Sequence, residues 1–489
     1  MKKIGVVLAA VFVVSVLAVA CSALSLDPET DVESGRLTSD REQRDVRPDT
    51  TPAEVPRGPF GLSMVSSVDG KPVDIDDFLL DEDCGGCHER QLEEMEGSMH
   101  SVAHRDSLYR SAAEMALREA GPEVYALCAG CHTAQGVASG LVPATPEEEL
   151  PEVVKAGVLC DTCHQVGALS GETGPWGEPG NASLVLDPDI DRKFGPASGD
   201  DEASFHAVET RDFLSTSEFC ASCHTVIHPT NGVRLEHTYA EWKASPYAAA
   251  GIQCQDCHMR SVSEATRVAT EMKPVAIEGL SDPSGEPRPI ARHYFVGGNH
   301  HADKLGGGAG HAEMAERRLR SAAKLELGLP QGTRVGEPFE IEVTVRNVGA
   351  GHNLPTSLVE YRRVWVDLVV RDDDGNEIFH SGWDNEVSDV PEGVMRFGAL
   401  AGDADGNPTY KPWEVTHFLW KRMVPAKGTA TDVFRVPASP QTGGALSVEA
   451  RLYYTIAPRF VAKAIMGDRY VDLEPIEIAA AKGTLHVRP

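Results

Sequence analysis

Hydrophobic and polar positions fall into successive regimes along the chain. An apolar run from Ile4 to Ala20 opens it, and residues 22–58 are rich in Asp, Glu, Arg, Thr and Pro with no apolar period. Residues 59–320 are loop-rich, with many Gly and Pro and only short stretches of helical period; helices are expected at 89–97, 108–120, 239–249 and 311–323. In the last third the pattern changes to alternation. Phe339-Glu-Ile341-Glu-Val343-Thr-Val345 repeats apolar and polar with period two, and Val364–Val370 does so less strictly, so each predicts a strand with a buried face. Asp374-Gly375 is a hairpin signal ahead of a strand at Glu377–His380. Further strands are expected at Val415–Trp420, Ala430–Arg435, Leu446–Tyr454 and Gly483–Val487. Short strands punctuated by turns predict an all-β, immunoglobulin-like sandwich over residues 321–489.

Charge and the first residues then bound the setting. Over 489 residues, 45 basic side chains face 74 acidic ones, a net charge of −29, which argues against nucleic acid as a partner. Lys2 and Lys3 before the apolar run, with small residues after it, describe a secretory signal over 1–20. Leu17-Ala18-Val19-Ala20-Cys21 resembles a bacterial lipobox, which implies lipidation of Cys21; an uncleaved single-helix anchor is the alternative. Either way the protein is expected outside the cytoplasm, periplasmic or on the cell surface, with the outer membrane favoured by Ser22. Residues 21–58 then read as a lipidated, disordered tether, because their composition cannot bury a core.

Cysteine spacing carries the chemistry. Apart from Cys21, the cysteines form five pairs, each with two residues between and a histidine directly after: Cys84/Cys87-His88, Cys128/Cys131-His132, Cys160/Cys163-His164, Cys220/Cys223-His224 and Cys254/Cys257-His258. This is the attachment signature of c-type haem. Two thiols on one turn can add to the two vinyl groups, and the next side chain points an imidazole at the iron. A single pair is open to a redox disulfide or half a zinc site. Five pairs in an exported chain predict five covalent haems, with no cysteine left for a structural disulfide. Residues 59–320 are therefore expected to form an α and irregular, haem-packed cytochrome domain, in which the cofactor supplies much of the apolar core.

The segment from Cys84 through Met95 to Ser98-Met99-His100 resembles the opening of a multihaem cytochrome group. That group includes the tetrahaem protein that accepts electrons from hydroxylamine oxidoreductase. Glu241-Trp242-Lys243 through Ser245-Pro246-Tyr247, leading into the fifth motif, and Arg292-His293-Tyr294-Phe295 through Gly297-Gly298-Asn299 extend the resemblance over roughly residues 80–300. The chain departs from it in having five motifs and in Met95, where an aromatic residue is common. The resemblance implies that His100 and His293 are distal ligands, His100 to a haem other than its neighbour.

His206, in the linker before the fourth motif, is a further candidate, and His104, His228, His237, His300 and His301 are weaker ones. Met259 is expected to pack against a ring, and His380, His417 and His486 to be structural. Asn347-Val-Gly-Ala-Gly351-His352-Asn353-Leu354-Pro355-Thr356 resembles a loop of sandwich domains fused to multihaem cytochromes, which implies a distal role for His352. For each of these histidines a surface or hydrogen-bonding role is the alternative.

Two functions follow. Irons closed by two histidines pass electrons without binding substrate, which predicts an electron conduit between redox proteins, such as other cytochromes or a quinol-linked donor, at a membrane surface. An iron without a distal ligand predicts an oxidoreductase acting on a small nitrogen or sulfur compound. All five motifs end in histidine, which speaks against the proximal lysine of some nitrite reductases.

Overall fold

The computed structural model describes residues 42–48, 57–170, 177–196, 205–275, 291–386, 388–438, 440–441 and 443–489. The signal segment, Cys21 and most of the tether lie outside them. Within them, short helices and loops run as far as Ala322, and strands dominate from Ala323 onward.

The alternating segments become strands at the places their period marks: Phe339–Asn347, Arg363–Arg371, Glu377–Ser381, His417–Arg422, Thr429–Val436 and Gly444–Thr455. The last strand, Ile476–Arg488, is longer than its pattern suggests and pairs antiparallel with Gly444–Thr455. Arg363–Arg371 lies between Gly444–Thr455 and Arg396–Gly402 in a nine-stranded sheet, and Phe339–Asn347 is the centre of a three-stranded one. The two sheets share a core. Ile341, Val343 and Val345 of one meet Val364, Val366, Leu368 and Val370 of the other, all fully buried. Each such side chain contributes roughly 1.5–3 kcal/mol through loss of water contact.

One charged group caught between these strands is largely answered. Arg363 is fully buried, and its guanidinium donates to Asp389 at 2.7 Å and to the carbonyls of Val359, Glu360 and Arg362 at 2.9–3.1 Å.

One element departs from composition. Within the stretch that reads as a tether, Gln43–Val46 adds an antiparallel strand beside His417–Arg422. A sheet edge offers unpaired backbone groups to any extended segment. Glu42 fixes this one by pairing with the nearly buried Arg396 at 2.8 Å.

Residues 57–322 are built differently. Their buried apolar residues form smaller separate groups, one around Val65, Phe78, Val137 and Leu186 and one around Tyr239, Trp242, Tyr247 and Ile252. Helices occur at Glu89–Met95, Ser107–Ala120, Thr238–Lys243, Pro246–Ala249 and Ala309–Ala322, close to the periods in the sequence. Polar contacts clamp this region to the strands. Glu241 accepts from the Thr356 hydroxyl at 2.6 Å, Asn231 donates to the Val415 carbonyl at 2.7 Å, and Lys427 donates to the Ala269 carbonyl at 2.7 Å. Among the described residues no helix is long and apolar enough to cross a membrane.

Candidate functional site

Local hydrogen bonding gives the motifs a common shape. In the first, fourth and fifth, the amides of the second cysteine and of the histidine both donate to the carbonyl of the first cysteine, at 2.9–3.2 Å. One helical turn thus sets both thiols and the imidazole on one side. Cys128–His132 closes the helix Pro122–His132, and Cys160–His164 is itself a single turn. All ten described cysteines are free of disulfides.

These turns converge. One continuous cavity of about 2660 Å³ is lined by all ten cysteines, all five motif histidines, and His100, His206, His293 and His352. Sites for a single small molecule occupy about 300–1,000 Å³, so the space suits several large groups. Thiols of different motifs lie side by side: Cys84 with Cys160, Cys131 with Cys223, and Cys220 with Cys254 are each within hydrogen-bonding reach. The fourth motif therefore adjoins both the second and the fifth.

The histidines are oriented by what their second nitrogen meets. Nδ1 of His132 faces the Ala103 carbonyl at 2.6 Å, that of His164 the Phe194 carbonyl at 2.6 Å, and that of His258 the Val296 carbonyl at 2.8 Å. Each contact holds a proton on Nδ1 and leaves Nε2 as a free donor to metal. Nδ1 of His224 instead faces a carboxylate, that of Glu236, at 3.2 Å. Burial pushes His100 and His258 down to about 3, and His132 and His293 to about 4, so these rings are neutral, as metal ligands must be.

Across the cavity, histidine rings face each other in four pairs. Centroids are 6.3 Å apart for His88 and His206, 6.1 Å for His100 and His224, 6.5 Å for His164 and His293, and 6.3 Å for His258 and His352. Two metal–nitrogen bonds of about 2.0 Å, plus roughly 1.1 Å from each nitrogen to its ring centre, give ~6.2 Å. The spacing fits one metal ion between each pair. Among the described residues no three His, Cys, Asp or Glu side chains gather as a bare ion would need. A planar macrocycle supplying the remaining ligands fits both the paired histidines and the neighbouring cysteines.

His132 is the exception. Among the described residues no histidine ring faces it across such a gap; Tyr109 stacks on it instead, at 3.6 Å and 7°. The Tyr109 hydroxyl is buried without a hydrogen-bond partner.

Other histidines are occupied elsewhere. His104 contacts Glu147 at 3.3 Å, His228 the Trp413 carbonyl at 3.2 Å, and His300 and His301 share the Glu474 carbonyl at 3.0 and 2.8 Å. His237 precedes the helix Thr238–Lys243, and Met259 ends the turn Gln255–His258. His380 bonds Asp367, His417 lies beside Thr416, and His486 stands on the last strand.

Supporting residues were not legible from motifs. Glu94 accepts from the Arg292 guanidinium at 2.8 Å and from the His293 amide at 2.9 Å, fixing the segment that carries His293. Glu241 receives the Asn353 amide at 3.3 Å as well as the Thr356 hydroxyl, fixing the loop of His352. Gly97, at φ +81°, turns the chain toward His100, and a Cβ there would meet Gly308 at 3.0 Å.

Residues 83–165, which span the first three motifs, match the family model described as "Cytochrome c554 and c-prime". The fold is similar to the crystal structure of a penta-heme cytochrome c552 from Thermochromatium tepidum. The TM-score is 0.59 at 19% identity, over 84% of this chain and 99% of that one. The CARDB domain of the PF1109 protein from Pyrococcus furiosus also matches, at 14% identity over 34% of this chain and 91% of that one, with a TM-score of only 0.16. No curated protein matches. The family match and the shared fold support a multihaem c-type cytochrome with covalently bound haem, joined to a large β-rich C-terminal region.

Proposed function

We propose that this protein is an exported pentahaem c-type cytochrome that conducts electrons at a membrane surface. The observation that carries the reading is the set of four histidine pairs at the spacing of a shared iron. Bound haem supplies reversible one-electron exchange. Each cysteine pair would hold one haem through thioethers, with His88, His132, His164, His224 and His258 as proximal ligands. His206, His293, His100 and His352 would close the irons of the first, third, fourth and fifth. Closed irons exchange electrons and bind no substrate. The adjoining thiols join the first motif to the third and the fourth to the second and fifth, and the Cys163 thiol lies near enough to Cys223 to interact electrostatically, which together support close haem spacing.

The region 59–320 is then the haem domain, and 321–489 an immunoglobulin-like sandwich fastened to it through His352. The lipobox-like sequence supports a lipid anchor on Cys21, favouring the outer membrane, and the acidic surface steers basic faces of redox partners toward it. Those partners are other cytochromes or a quinol-linked donor, by analogy with the electron acceptor of hydroxylamine oxidoreductase.

Quantitative paramagnetic resonance of the oxidised protein should count four low-spin irons for one high-spin iron, and the reduced protein should deliver five electrons to an outer-sphere acceptor. A high-spin majority, or fewer electrons, would overturn the assignment. His132 favours a second reading, in which its iron is open and reduces a small nitrogen or sulfur compound. Sustained oxidation of the reduced protein by nitrite, hydroxylamine or tetrathionate would support catalysis; oxidation at the rate of buffer alone would exclude those substrates.

A further inference from the structure

Four of the motif histidines have an acceptor at Nδ1, and three of those acceptors are neutral backbone carbonyls. The fourth is the Glu236 carboxylate. It sits at the end of the strand Arg234–Glu236, which pairs with Val226–Ile227 just beyond the fourth motif, and it is nearly buried. A short loop thus returns a charged acceptor to the back of the ring whose front faces the cavity. The facing ring is not matched: Nδ1 of His100 is buried and has no hydrogen-bond partner. Among the four facing pairs, only this one carries a carboxylate at Nδ1; the acceptors in the others are backbone carbonyls.

We propose that Glu236 tunes the haem held by Cys220 and Cys223, making it the lowest in reduction potential of the four histidine-closed haems. A carboxylate pulling on the Nδ1 proton gives the imidazole part of the character of its anion. The ring then donates more strongly at Nε2 and stabilises the ferric over the ferrous iron. The low surrounding dielectric strengthens both this bond and the direct effect of the negative charge.

Position makes this consequential. The thiols of the fourth motif touch those of the second and the fifth, so this haem is the junction between neighbours. A junction that resists reduction keeps little electron density at rest and sets the step that traffic between the arms must climb. Glu236 is a positioning residue that acts through His224.

The inference rests on the haem reading above, and one variant separates the two. Glu236→Gln keeps the side-chain shape and a carbonyl acceptor but removes the charge. Haem content and spin states should stay as in the unaltered protein. A spectropotentiometric titration should show one haem alone rising by at least tenfold in its reduction equilibrium, which is 59 mV for one electron. Loss of one haem equivalent from the unaltered protein's expected five would instead contradict the haem assignment itself. Five haems with superimposable titrations would overturn only the role of Glu236. Should the variant not assemble, the unaltered protein decides. One low-spin species with the narrowed g-spread of a ligand with imidazolate character supports the inference, and four species of ordinary bis-histidine type refute it.

Discussion

Replacing His352 with alanine isolates the link between the two halves of the molecule. Its ring stands 6.3 Å from His258 at an interplanar angle of 16°, and the imidazole contributes little else to its loop: Nδ1 contacts only the carbonyl of the next residue, at 2.8 Å. The loop is held by other groups. Asn347 donates to the His352 and Val424 carbonyls at 2.8 and 3.2 Å and accepts from the Ala350 amide at 3.0 Å. Glu241 accepts from Asn353 and Thr356. With about 1 kcal/mol for each neutral bond and ~1.5–3 for each to a carboxylate, on the order of 6–9 kcal/mol of fastening survives the substitution. The loop should stay in place with one ligand missing.

One of four low-spin haems should therefore become high-spin, removing a quarter of the low-spin signal. Carbon monoxide binding should rise from one equivalent to two, with the haem count unchanged. Added imidazole should refill the position and restore the spectrum. Unaltered spin state and gas binding would refute the ligand role of His352, and with it the view that the sandwich is fastened through iron.

Two further substitutions test supporting residues. Glu94→Ala takes the nearest acid from Arg292, which keeps only Glu264 at 3.7 Å, a loss of about 1–3 kcal/mol that thermal unfolding should register. It should also free the His293 segment, so a fraction of the haem at His164 should turn high-spin; retention of both stability and spin state would show that Glu94 is incidental. Glu360 is fully buried with neither carboxylate oxygen hydrogen-bonded, and burial raises it to about 7 from 4.5. A raised carboxyl pKa favours the folded state fully below 4.5 and loses that advantage as pH climbs through 7. Glu360→Gln should therefore match the parent near pH 4.5 and exceed it at pH 8 by on the order of 3 kcal/mol, and parallel stability curves would contradict this.

Where the chain spoke plainly, the reason was period or chemistry. Strands such as Phe339–Asn347 have one face in the core and announce it by alternation. Arg396–Gly402 is buried along nearly its whole length, so it has no alternation to read and escaped notice. Gln43–Val46 is exposed and polar, and its pairing comes from a sheet edge almost 400 residues away in sequence, which local composition cannot reveal. The cysteine pairs were legible because covalent attachment demands fixed spacing.

The histidines that face the motif histidines carry no such constraint. His100, His206, His293 and His352 come together only through the fold, and sequence could rank them but not match them to partners. Glu236 and Glu94 were silent for the same reason. An acid two residues before Thr238 looks like any other until the strand brings it against His224.

The most direct test of the central claim is a carbon monoxide difference spectrum of the fully reduced protein, with haem counted in the same sample. Four closed irons and one open one should give five haems per chain and about one equivalent of carbon monoxide bound, at the iron of His132. Fewer than five haems, or binding at several irons, would contradict a conduit closed by four histidine pairs.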